Sequence, residues 1–131
     1  MAVFLSEDWI ELGRRLGAGE PERPGLNASV QFLVGGGPGG DVSYWWRIQD
    51  GRLVDAALGQ LEDSDVSITY TYPDAVLVQR GQLDANAAFM QGRAKVAGHL
   101  TKLMSVLPLT ASADYKDLQG RIADQTEYAE E

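Results

Sequence analysis

Cysteine is absent from this chain of 131 residues, so disulfides and thiol chemistry are excluded, and the absence leaves the compartment open. Histidine occurs once, at position 99, which rules out a multi-histidine metal site. Basic residues are the minority: 11 Lys and Arg against 19 Asp and Glu give a net charge of −8 and a pI near 4.5. That balance opposes nucleic acid or anionic lipid as the principal partner. Arg93, Lys95 and Lys102 lie close in sequence and read as scattered surface cations. No apolar stretch approaches the roughly 18 residues of a membrane span. The N-terminus "MAVFLSEDW" lacks the basic region and long apolar run of a signal peptide. The C-terminus "EYAEE" is no Ser-Lys-Leu address. The expectation is a cytoplasmic protein, with residues 1–131 forming one domain.

What is present is ordinary globular material, 44% hydrophobic and 23% charged, arranged with clear periods. Residues 6–16 predict an amphipathic helix. Ser6 caps it, Glu7 and Asp8 suit the positive end of the dipole, and Leu5 with Ile10 forms a hydrophobic staple. Trp9, Ile10, Gly13 and Leu16 recur at helical spacing, with Gly17 as the stop. From Ala28 the period becomes two. Val30, Phe32 and Val34 alternate with Ser29, Gln31 and Leu33, and Val42, Tyr44, Trp46 and Ile48 follow after "GGGPGG". Asp50-Gly51 signals a two-residue hairpin into "RLVDAALG". Val66, Ile68, Tyr70 and Tyr72 predict a fourth strand, and the order of the strands stays open.

Helical signals dominate the remainder. Pro73 and Asp74 open one helix and Gly81 closes it; Asp84 caps "ANAAFMQ", closed by Gly92. "RAKVA" is a short strand. Leu100, Leu103, Met104 and Leu107 make the next apolar stripe, with Pro108 as its predicted stop. A last helix is expected from about Ala111 to Thr126, with Ala111, Tyr115, Leu118 and Ile122 on one side.

Candidate chemistry is sparse. "GGGPGGD" contains G-x-G-x-x-G at Gly35, Gly37 and Gly40, but a dinucleotide fingerprint needs a helix at once, whereas "DVSYWWRIQ" has a period of two. It reads as a turn. His99 sits where a helix begins, as a surface or capping residue, and no serine lies in G-x-S-x-G. Asp55 interrupts the apolar "LVDAALG", so it is either a water-facing strand residue or a general base. Trp45 and Trp46 must point to opposite faces of a regular strand, one inward. No cofactor is expected.

The stretch "LDANAAFMQGRAKVAGHLTKLMSVLP" resembles the signature of the sterol carrier protein 2 family, the sterol-binding or lipid-transfer domain. Ala88-Phe89, Gln91-Gly92, Lys95-Val96, Gly98 and Lys102-Leu103 occupy matching places. Arg93 stands where lysine is more usual, and Ala94 where a larger apolar residue is. The resemblance implies an α/β (α+β) fold: a curved, mostly antiparallel five-stranded sheet covered by helices, with an apolar tunnel between them. It also implies binding and intracellular carriage of a sterol, fatty acid, fatty acyl-CoA or similar lipid.

On that basis the expected ligand wall is Phe32, Trp46, Ile48, Phe89, Met90, Leu100, Leu103, Met104 and Leu107. Gln91 is expected at the polar head of the ligand, and Leu118 and Ile122 on a terminal helix that closes the tunnel. Methionine suits such a wall because its unbranched thioether adapts to different shapes. Each buried methylene of a lipid contributes roughly 0.8 kcal/mol. The partner is then a lipid or other apolar small molecule, with transient membrane contact and an oligomeric state left unknown. Two further readings stay open. One is an enzyme on the same fold using a carboxylate such as Asp55; the other is a protein-interaction module whose core is filled by side chains.

Overall fold

The structure, a computed structural model, describes residues 2–128. Strand β1 (Ala2–Val3) and helix α1 (Glu7–Gly17) lead into three strands, β2 (Ala28–Gly37), β3 (Gly40–Gln49) and β4 (Arg52–Leu58). Strand β5 (Val66–Thr71) runs straight into α2 (Tyr72–Gln79). After α3 (Ala85–Met90) come β6 (Lys95–Gly98), α4 (Leu100–Thr110), α5 (Ala113–Asp124) and β7 (Thr126–Glu127). The short β1 and β7 pair in parallel and tie the ends of the described chain together. The main sheet has five strands in the order β4-β3-β2-β5-β6. All neighbours are antiparallel except β2 and β5, which run parallel.

The local chemistry explains the elements. Ser6 and Asp84 accept hydrogen bonds from the amides of Trp9 (3.3 Å) and Ala87 (3.2 Å), so each caps its helix. Leu5 and Ile10 are both buried in the core, as a staple requires. Asp50 and Gly51 both have positive φ (51° and 80°), the geometry of the tight turn between β3 and β4. The glycine-rich stretch is likewise a hairpin: Gly37 pairs with Gly40, and the Asp41 carboxylate accepts from the Gly36 amide at 3.0 Å. No helix begins there. Pro108, in contrast, does not stop α4, which continues to Thr110. Proline removes one amide donor and its ring crowds the carbonyl four residues back, but here it stands in the last turn, which closes by a shorter bond from the Ala111 amide to the Pro108 carbonyl, 3.2 Å.

Period two separates the faces of the sheet. Val30, Phe32, Val34, Tyr44 and Trp46 share the face beneath the helices, where Phe32 stacks on Tyr44 with ring centroids 4.7 Å apart. Trp45 lies on the other face, under the Arg47 guanidinium at 5.5 Å. Gln31, also on that face, is buried but fully used. Its side-chain amide donates to the carbonyls of Phe32, Tyr44 and Gly59, and its oxygen accepts from the Leu61 amide at 2.7 Å. Helix α1 packs on β4, α2 on β2 and β5, α4 on β5, and α5 across α1 and α4. Gly17 permits the first of these approaches, since a Cβ there would sit 2.8 Å from that of Leu53.

Candidate functional site

Two adjoining chambers lie between the sheet and its helices. The first, about 70 Å³, is enclosed by α1, the β3–β4 hairpin end and α5; Trp9, Ile10, Ile48, Leu53, Leu118 and Ile122 form most of its wall. The second, about 80 Å³, lies between the sheet and helices α2 to α5, lined by Phe32, Tyr44, Ile68, Phe89, Leu103 and Leu107 among others. Trp46, Gln79, Tyr115 and Gln119 border both. The lining is mainly apolar, the composition of a pocket for a hydrophobic molecule.

The structure brings many of the sequence-selected residues to these walls and leaves others outside. Phe32, Phe89, Leu103 and Leu107 face the second chamber; Ile48, Leu118 and Ile122 face the first; Trp46 stands between. Met90, Leu100 and Met104 do not line either chamber and are 83%, 54% and 53% exposed. The reason is rotational. At 3.6 residues per turn, Leu100 and Met104 lie about 60° and 100° round the axis from Leu103, and Leu103 is the residue that α4 drives into the core at 2% exposure. Met90 is the last residue of the short α3, where the buried contact is made by Ala88 instead. Gln91 is also outside: it is exposed and accepts from the Arg93 guanidinium at 3.4 Å. Arg93 in turn clamps the Asp74 carboxylate (2.6 and 3.1 Å), tying the start of α2 to the turn before β6.

The polar residues at the chambers escape periodicity. Glu20 belongs to the loop after α1, yet it is 7% exposed. Its carbonyl accepts from Arg52 Nε at 2.9 Å and its amide donates to the Gly17 carbonyl, so its backbone is fixed. One carboxylate oxygen lies 3.9 Å from the Arg121 guanidinium, whereas the other, Oε1, is buried without a partner. Burial raises the Glu20 pKa from its ordinary value and Asp114 adds to this, against the opposing pull of Arg121 and Arg23. Gln79 Nε2 and Trp9 Nε1 are likewise buried without acceptors. Burial also lifts the phenols of Tyr44, Tyr70 and Tyr115, that of Tyr70 to about 12, so all three stay neutral donors and acceptors at ordinary pH.

The other candidates are structural in placement. Asp55 lies outside both chambers; its carboxylate accepts from the Ala56 amide at 2.9 Å and stands 3.8 Å from Arg14. His99 occupies the N-cap position of α4 without a side-chain capping bond. Among the described residues no group of three or more His, Asp or Glu side chains is placed to hold a metal ion, and no helix is long and apolar enough to cross a membrane.

A helix-covered, five-stranded sheet over a divided apolar cavity is the architecture of a small hydrophobic-ligand binding domain. The sequence pattern of the SCP-2 sterol transfer family matches residues 11–110, and the chain belongs to that family. Solved structures agree on the fold. A conserved protein of Thermus thermophilus, regarded as a candidate sterol carrier, is 19% identical, with a TM-score of 0.74 over 94% of this chain and 92% of its own. A crystal structure of sterol carrier protein 2 gives 16% identity and 0.71 over 92% and 98%. The palmitated sterol carrier protein 2 like 2 of Aedes aegypti gives 16% and 0.61 over 82% and 96%. No curated protein matches the sequence.

Proposed function

We propose that this protein binds one lipid or sterol-like molecule in the two chambers and carries it through the cytosol. The observation that carries this reading is the apolar lining shared across Trp46 between sheet and helices, in a chain of the SCP-2 sterol transfer family. Each methylene withdrawn from water contributes roughly 0.8 kcal/mol, so a long chain binds with little polar help. The chambers as they stand, about 70 and 80 Å³, are small beside a long-chain lipid. A lipid must therefore spread the helices, and α5 is the one suited to move. It is joined to the rest by polar tethers, Arg23 to Asp114 at 3.4 Å, Gln119 to the Val78 carbonyl at 2.5 Å and Arg121 to Glu20, while its buried stripe is narrow. The exposed Met90, Leu100 and Met104 are the apolar side chains we assign to contact with a bilayer during exchange.

Displacement of a fluorescent fatty acid or sterol analogue by unlabelled lipid tests this directly, with saturable binding at micromolar or tighter Kd expected. Hydrogen exchange in the same samples should show α5 as the fastest-exchanging long helix when empty and protected when lipid is bound. Absence of saturable uptake of any chain lipid or sterol defeats the proposal and favours a side-chain-filled interaction module.

A further inference from the structure

We infer that the first chamber is a polar subsite that selects a neutral, hydroxyl-bearing amphiphile over a carboxylate-bearing one, with Glu20 as hydrogen-bond acceptor and Gln79 as donor. The inference rests on the proposed lipid carriage and names the head group that the site accepts.

Buried polar atoms in folded proteins are almost always hydrogen-bonded, and each one left over calls for an explanation. Buried Gln31 uses both ends of its amide, whereas Arg14 Nε, Arg23 Nη1 and Tyr128 Oη, outside the lining of the first chamber, are buried singly without partners. The first chamber is different. Glu20 Oε1, Gln79 Nε2 and Trp9 Nε1 all belong to residues on its wall, and all three are buried without partners. One acceptor and two donors on residues around one apolar space, reached once a guest spreads the walls, describe a complementary guest. A hydroxyl both donates and accepts, so it answers both kinds of group. A carboxylate accepts from Gln79 and Trp9 but brings a second negative charge toward Glu20. A primary ammonium donates to Glu20 and leaves the two donors unmet.

The surroundings sharpen the discrimination. Charged groups acting on Glu20 are Asp114, Asp117 and Arg121 on α5 and Arg23 on the same loop as Glu20. Arg121 is shared with Asp117 at 3.0 Å and Arg23 Nη2 with Asp114 at 3.4 Å, while Arg23 Nη1 has no partner and Arg23 is not among the residues lining the chamber. The upward displacement of the Glu20 pKa has the same origin, a carboxyl held in a poorly solvated place. With the head at Glu20, the apolar body of the guest extends past Trp46 into the second chamber, toward Phe32, Leu103 and Leu107.

The test compares 1-dodecanol with dodecanoate, equal chains with different heads, by displacement of a fluorescent lipid at pH 7.5. Dodecanol should bind about tenfold or more tightly, a difference of roughly 1.4 kcal/mol. Glu20→Gln, nearly isosteric, should recover most of the lost dodecanoate affinity, whereas Glu62→Gln, which removes the same charge from an exposed loop position, should leave the ratio unchanged. Gln79→Met should weaken dodecanol about three- to tenfold, the worth of one hydrogen bond. Cholesterol in the same assay separates a ring-system alcohol from a linear one; its uptake in place of dodecanol, sensitive to the same substitutions, also supports the subsite. Equal binding of alcohol and acid, tighter binding of the acid, or a ratio indifferent to Glu20→Gln overturns the subsite while carriage stands. If no probe displaces the fluorescent lipid, both readings fall.

Discussion

The two chambers meet at Trp46 but are built by different means. The second rests on the β-ladders of the main sheet and takes Phe89, Ala94, Val96, Leu103 and Leu107 from the stretch where the family signature lies. The first is roofed by α5 and floored by the loop carrying Glu20, and the unpartnered Glu20 Oε1 and Trp9 Nε1 belong to its wall alone, whereas Gln79 borders both. Helix α5 also lies beyond the stretch matched to the family. The signature therefore encodes part of the wall of the second chamber, and the residues to which we assign head-group selection come from elsewhere.

If that contrast holds, the largest effects of substitution belong to the wall. Gly98 has φ of +105°, and a Cβ on it would come within 2.5 Å of the Asp65 carbonyl oxygen, which receives the His99 amide at 2.8 Å. Gly98→Ala should cost at least about 1–3 kcal/mol from backbone strain, with the clash added, and should detach β6 from β5. Gly92 also has a positive φ, +73°, but nothing closer to the added methyl than Lys95 Nζ at 3.8 Å. Gly92→Ala should cost about 1–2 kcal/mol. Urea unfolding of the two variants ranks them, and equal losses would show that the close fit at Gly98 relaxes freely.

A second pair tests the face of α4. Leu103→Ala removes a residue at 2% exposure and should cost about 2–5 kcal/mol. Met104→Ala, one position on and 53% exposed, should stay within about 0.5 kcal/mol. Thermal denaturation of both decides which side chain belongs to the wall. A large loss at Met104 would return α4 to the orientation that its sequence stripe suggested.

That stripe marks the limit of what periodicity conveys. Alternation placed Trp45 and Trp46 on opposite faces, because a strand offers only two directions, and the resemblance added Trp46 and Phe32 to the inner wall. The Asp50-Gly51 turn and the caps at Ser6 and Asp84 were legible for a similar reason: each depends on local backbone geometry. A helix offers a continuum. Leu100, Leu103, Met104 and Leu107 form one apolar arc, and only contact with β5 and α5 decides which part of it is buried. The parallel pairing of β2 with β5 is equally non-local. Glu20 left no signal at all, since a carboxylate in a Gly- and Pro-rich loop reads as solvated until Arg52 and α5 close over it. Gln79 and Gln119 looked like ordinary polar positions on short helices.

The smallest expected effect bears on the first chamber and concerns pH. The Glu20 carboxyl has its pKa raised above the ordinary 4.5, burial first and Asp114 second, with Asp117 in the same direction and Arg121 and Arg23 opposing. Between 4.5 and the raised value the folded state therefore holds a proton that the unfolded chain has released. Stability then falls as pH rises through that window, because the native state binds more protons than the unfolded one. Glu20→Gln removes this loss. Near pH 4 the variant and the wild-type protein both carry a largely uncharged side chain at this position, so their melting temperatures should nearly coincide. Above the window the variant should melt higher than the wild-type protein. The Arg52 bond survives, because it is made to the Glu20 carbonyl. Melting curves of both proteins from pH 4 to pH 8 measure the difference. A variant less stable at pH 7.5 would mean that the Arg121 pair outweighs desolvation, and Glu20 would then be a structural anchor instead of a carboxylate kept at a stability cost for its ligand.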